Sequence, residues 1–147
     1  MTDVDLIAAA RAAALKAYAP YSGYSVGCAI LSEDGELVTG ANMENACYRL
    51  GLCAEQSALT TAQHIFGLKR VARIAVAGGD ASGGALAGKQ SCTPCGGCRQ
   101  ALLEASHLSG RDFEILCASG DGLAVKRLTL SSLIPHGFGP ANLSEAE

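Results

Sequence analysis

The sequence has no tryptophan, and four tyrosines and three phenylalanines are its only aromatic residues. It also lacks a surplus of positive charge: 11 Lys and Arg stand against 14 Asp and Glu, giving a net charge of -3 and a pI near 5.6. A nucleic-acid groove needs a basic stripe, and single strands also need a surface of stacking aromatics. This composition offers neither, so a small neutral substrate is favoured and no nucleic-acid partner is expected. Long apolar runs are missing too. The opening Met1 to Asp5 is acidic, and the alanine-rich run behind it is broken by Arg11 and Lys16, so neither a secretory signal nor a membrane span is expected. The expected location is cytoplasmic. No linker, repeat or low-complexity tract divides residues 1–147, which are expected to form one domain large enough to bury a core without staples.

Cysteine is plentiful by contrast. The count of seven is odd, and in a reducing compartment a disulfide framework is not expected, so the thiols divide between ligands and small buried residues. Cys28, Cys47 and Cys117 lie in apolar or aromatic surroundings and read as core.

The hydrophobic pattern predicts a helix from Asp3 or Asp5 to Tyr18, stopped by Pro20. A strand follows over Tyr24 to Leu31, apolar throughout from Val26 and hence buried on both faces. Turn chemistry at Ser32-Glu33-Asp34-Gly35 joins it to a second strand over Glu36 to Ala41 as a hairpin. A helix from Cys53 to Ile65, a strand from Val71 to Ala77, a helix from Cys95 to His107 and a strand from Phe113 to Ala118 come next. A short strand at Leu123 to Val125 and one helical turn at Thr129 to Leu133 complete the series. This order implies an α/β fold with a mixed sheet and helices on both faces.

Two stretches carry the chemistry. Cys53-Ala54-Glu55 places a soft metal ligand and a carboxylate two residues apart at a helix start. Pro94-Cys95-Gly96-Gly97-Cys98 adds two thiolates at another. Three thiolates suit zinc, and a catalytic zinc takes three protein ligands while leaving a fourth position to water, whose pKa then falls to roughly 7. A structural zinc would close with a fourth ligand, for which Cys92 is the only nearby candidate. Glu55 favours the catalytic reading, because a carboxylate beside the ligand can accept a proton from the water. Both helix N-termini also favour ionised thiols. Cys or His before x-Glu, followed by Pro-Cys-x-x-Cys, is the pattern of the zinc nucleobase deaminases.

Other features are weaker. Gly83 to Lys89 fits G-x-x-x-x-G-K, but Gln90 stands where a Ser or Thr should hold magnesium, so a surface loop is the better reading. Asn42 and Glu44 would face one way on an extended segment and reach sugar hydroxyls, although by themselves they read first as a solvated turn. Tyr24, Tyr48 and Phe138 read as core unless a resemblance places them. His64, His107 and His136 lack ligand spacing and read as surface or capping residues.

Five blocks in order give the chain a resemblance to the short-chain cytidine deaminases over nearly its full length. They are Tyr21-Ser22-x-Tyr24-x-Val26-Gly27, Gly40-x-Asn42-x-Glu44-Asn45-Ala46, Cys53-Ala54-Glu55, Pro94-Cys95-Gly96-Gly97-Cys98-Arg99-Gln100 and Leu133-Ile134-Pro135-x-x-Phe138-Gly139-Pro140. The resemblance implies a three-layer αβα cytidine deaminase-like fold with about five strands. It also implies a homotetramer with one zinc per chain and sites completed by neighbouring subunits, acting on free cytidine and 2'-deoxycytidine. Cys53, Cys95 and Cys98 match the zinc ligands, and Glu55 matches the proton shuttle for zinc hydroxide attack at C4. Asn42 and Glu44 match the ribose-binding pair, and the Ala54 N–H is expected to meet the base. Tyr24 takes the place of the usual Phe beside the pyrimidine, while Tyr48 and Phe138 match aromatics that reach a site across subunits.

One position departs from the pattern. Relatives with three cysteines usually carry Arg after Cys-Ala-Glu, offsetting the negative charge of three thiolates, and here it is Gln56. The expectation is slower turnover at neutral pH and a changed pH profile on Gln56→Arg. Alternatives are a deaminase of modified or N4-substituted cytosines or of a blasticidin-type antibiotic, and a non-catalytic zinc- or nucleoside-binding module, against which the intact Glu55 speaks.

Overall fold

A computed structural model describes residues 1–144. Helix α1 spans Asp3–Ala14 and opens with a capping box, in which the Thr2 hydroxyl accepts from the Asp5 N–H and the Asp5 carboxylate accepts from the Thr2 N–H. Strands β1 (Ser25–Ser32) and β2 (Leu37–Ala41) form the expected hairpin. Helix α2 (Ala54–Ile65), β3 (Val71–Gly79), α3 (Gly96–Ser109), β4 (Glu114–Ser119), β5 (Val125–Thr129) and the short helices α4 (Leu130–Leu133) and α5 (Pro140–Ser144) follow.

The five strands lie in the order β2-β1-β3-β4-β5, with β3 and β4 parallel and every other pair antiparallel. The parallel pair is joined through α3, as a crossover requires. Alternate residues of the central strands face opposite layers. Cys28, Ile30, Ile74, Val76, Ile115 and Cys117 pack under α2 and α3, whereas Ala29, Ala75, Ala77 and Ala118 pack under α1. The α1 side is thus floored with alanine and met by an alanine-rich helix, which brings helix and sheet close. The other side carries the bulkier residues, including the fully buried Leu102, Phe113 and Leu130. This is the αβα arrangement with helices on both faces.

One contact fixes where α2 lies. A Cβ on Gly40 of β2 would stand 2.5 Å from the Ala58 nitrogen and 2.9 Å from the Ala54 carbonyl oxygen. Only glycine lets the first turns of α2, which carry Glu55, rest directly on the edge strand.

Four details differ from the sequence-based expectation. Helix α1 stops at Ala14 instead of Tyr18, because Tyr18 spends its backbone on another segment: its N–H donates to Asn42 O and its carbonyl accepts from Glu44 N–H. The last strand runs over Val125–Thr129, not Leu123 to Val125, since the Ser119 and Asp121 side chains hold residues 119–124 as a turn, accepting from the Ala124 and Leu123 N–H groups. Cys47 is exposed, whereas Cys28 and Cys117 are buried as expected. Cys47 precedes a short 3-10 turn, Tyr48–Leu50, that has no buried residue. Helix α5 has no counterpart in the sequence-based expectation. The stretch after β3 opens no helix at Lys89 or Gln90, and its Asp80 and Ala87 pair as an isolated bridge, so it is a surface turn and not a phosphate loop.

Candidate active site

Cys53 and Cys95 occupy equivalent places. Each is the N-cap of a helix, α2 and α3 respectively, with extended backbone and a side chain that makes no capping hydrogen bond. Cys98 sits in the first turn of α3, three residues past Cys95. The thiol of Cys53 is 3.9 Å from that of Cys95, and the three sulfurs all lie within 4.8 Å of one another. Tetrahedral zinc with Zn–S bonds of about 2.3 Å sets sulfur separations of about 3.8 Å, so the constellation has the size zinc requires. No other cluster of metal-ligating side chains occurs among the described residues.

The electrostatics also call for a cation. Burial and the Glu55 charge push the Cys98 thiol up, and burial raises Cys53. At Cys95 burial is outweighed by hydrogen bonds from Cys98 and Cys53, which hold that thiol below its ordinary value. Thiols crowded this way ionise together only around a positive centre. Glu55 is 4% exposed, with Oε2 3.5 Å from Cys98 Sγ, and burial raises its pKa. Gln56 donates from Nε2 toward the same sulfur at 3.7 Å.

Beside the thiols opens a cleft of about 470 Å3 that reaches Cys53 and is lined by Tyr21, Asn42, Glu44 and Tyr48 among others. Asn42 is locked in orientation: Oδ1 accepts from Val26 N–H at 2.8 Å and Nδ2 donates to Tyr24 O at 2.9 Å. Glu44 Oε1 accepts from the N–H groups of Tyr21 and Ser22. Hydrogen bonding from Ser22 above all keeps that carboxyl below its ordinary range. The Tyr21 and Tyr48 rings meet edge-on at 5.8 Å. The Ala54 N–H lies at the free start of α2, where backbone donors have no intrahelical partner.

The fold therefore gathers Cys53, Cys95, Cys98, Glu55 and Gln56 into one cluster and sets Asn42, Glu44 and Tyr48 in the adjoining cleft. Tyr24 and Phe138 do not line that cleft. The Tyr24 hydroxyl stands near Cys92 over Gly78, its pKa pushed up to about 12 by burial, and Phe138 projects from the tail with its ring exposed. Cys92 is outside the thiol cluster, which removes it as a fourth ligand. The sequence reading gave no role to Tyr21, although Tyr21 opens one of the five blocks.

The family model of the cytidine and deoxycytidylate deaminase zinc-binding region matches residues 1–109. The chain belongs to this family. Similar relatives include the cytidine deaminases of Halalkalibacterium halodurans, 36% identical over 88% of this chain and 88% of that one, and of Mycobacterium tuberculosis, 47% identical over 71% and 74%. The crystal structure of a cytidine deaminase from Burkholderia pseudomallei superposes with a TM-score of 0.81 at 37% identity, covering 94% of this chain and all of that one. The family's matched region is a zinc-binding one, and Cys53, Cys95 and Cys98 are where this chain holds one zinc ion.

Proposed function

We propose that this enzyme of the family hydrolyses free cytidine and 2'-deoxycytidine to the corresponding uridines, with Glu55 as the proton carrier. The observation that carries the reading is the buried Glu55 carboxylate 3.5 Å from a ligand thiol, in a thiol cluster whose Cys53 also lines the cleft that holds Asn42 and Glu44. Zinc, when bound by the three thiols, supplies a Lewis acid that lowers the pKa of water to about 7. Glu55 takes a proton from the water whose oxygen bonds to C4 and delivers it to N3, then takes the remaining hydroxyl proton as the C4 carbonyl forms and passes it to the amine as the C4–N bond breaks and ammonia leaves. Burial raises its pKa, which strengthens the carboxylate as a proton acceptor. Asn42 and Glu44 hold the sugar hydroxyls, their side chains pre-oriented by backbone hydrogen bonds. The Ala54 N–H meets the base.

The functional unit is a homotetramer in the cytoplasm. Phe138, 62% exposed, lies outside its own chain's cleft and completes that of a neighbouring copy, and Tyr48, 79% exposed, lines its own cleft and reaches the neighbour's from there, with Tyr24 beside the pyrimidine. No described helix is long and apolar enough to cross a membrane. The test is the ultraviolet loss of cytidine and deoxycytidine with zinc-loaded protein, run beside Glu55→Ala and a metal assay. Activity lost in the variant with zinc retained supports the assignment, and an inactive zinc-loaded wild type would overturn it.

A further inference from the structure

Helix α3 does more than carry two thiols. Its outer side grips the chain's own tail at three points beyond Cys98. The Arg99 guanidinium donates to Pro94 O at 2.8 Å and to Leu133 O at 3.0 Å, tying the residue before Cys95 to the end of α4. The Gln100 amide donates to Phe138 O at 2.7 Å. Two turns further along, His107 Nδ1 accepts the Ala141 N–H at 3.1 Å. A Cβ on Gly139 would lie 2.5 Å from that same Nδ1, so the imidazole occupies the space that a side chain on residue 139 would need. The Gly139 N–H in turn donates to Asn142 Oδ1, closing the tail on itself.

The Gln100 and His107 bonds fall on the backbone of Phe138 and Ala141, while the Phe138 side chain stands exposed. A loose tail would present that ring in many directions and bind no better for having it. Fixing the backbone at 138 and 141 removes that freedom before a partner arrives, and the gain appears as affinity. We propose that Gln100 and His107 are positioning residues that clamp residues 138–141 to α3, so that the Phe138 ring is pre-set to complete the nucleoside cleft of a second copy of this chain. The inference rests on the shared-site reading above.

The test uses zinc-loaded full-length protein with cytidine. Gln100→Ala and His107→Leu should each raise KM roughly three- to tenfold, the range an aromatic contact is worth, with kcat, zinc content and oligomer size little changed. His107→Asn, whose Oδ1 can accept the Ala141 N–H where Nδ1 did, should recover most of the loss. In a Phe138→Ala background the same clamp substitutions should add no further rise in KM, because the ring they position is gone. A full additive rise in that background, or unchanged KM in both single variants, overturns the clamp. Mixing Glu55→Ala with Phe138→Ala protein separates this from failure of the shared site, since only sites built from two copies regain activity on mixing. Recovery on mixing with inert clamp variants refutes the clamp alone. No recovery refutes the shared site and the clamp with it.

Discussion

The Glu55 carboxylate stands 3.5 Å from the Cys98 sulfur while only 4% exposed, so the proposed proton carrier and a metal ligand are packed together away from solvent. Replacing Glu55 by Ala removes the carboxylate without touching a thiol. The expected result is a loss in kcat of about 100- to 10,000-fold or more, with zinc still bound at one per chain by elemental analysis. Zinc lost together with activity would mean that Glu55 supports the metal instead of moving protons.

Gln56 donates toward the same sulfur at 3.7 Å. Removing a partner of a metal ligand usually weakens the metal by about 10- to 100-fold, so Gln56→Ala should give up zinc to a competing chelator at correspondingly lower concentration. Gln56→Arg brings a full positive charge, which favours ionised groups nearby, and should move the acid limb of the kcat profile to lower pH. Identical chelator titrations for the Gln56→Ala variant and the wild-type protein would remove Gln56 from the metal's support.

Glu44 is held below the ordinary carboxyl range, chiefly by hydrogen bonding from Ser22, so it is ionised at neutral pH. A charged acceptor for a hydroxyl is worth more than a neutral one. Glu44→Gln should therefore raise KM for cytidine by roughly tenfold or more, measured by steady-state kinetics, with a smaller change in zinc content than Cys98→Ala produces.

Far from the site, Asp3 joins the start of α1 to β3 and β5 through Arg73 and Arg127. Hydrogen bonding from Arg127, ahead of the guanidinium charges, lowers its pKa. A folded-state pKa below the unfolded one gives stability that is complete above the unfolded value of about 3.9 and fades as pH falls through the folded value. Asp3→Asn should melt slightly below wild type at pH 7 and converge with it in acid or high salt. A difference that persists at low pH would point to packing instead of charge.

The metal centre was legible because its parts are local. Cys53 and Glu55, and Cys95 and Cys98, are each set by a single helix start, and spacing alone predicts where they point. The cleft was harder. Asn42 and Glu44 owe their orientation to the backbone of residues 21–26, and the same pairing draws Tyr18 out of α1, a long-range effect that no window of periodicity contains. The final strand is displaced for a similar reason, since Ser119 and Asp121 recruit Leu123 and Ala124 into the turn. Cys47 reads as core from its neighbours Tyr48 and Leu50, which are themselves exposed. Tyr24 and Phe138 belong to the readings that the fold of one chain leaves outside its own cleft.

Residue 40 has no room for a side chain, because α2 rests on it through the Ala58 nitrogen. Any larger residue there must lift the helix start that bears Cys53, Ala54 and Glu55. Variation toward new substrates can reach the cleft through Tyr21, Met43 or Tyr48, but not by way of this strand position. Among lineages that keep the reaction, position 40 should be among the slowest to change, although it touches neither metal nor nucleoside.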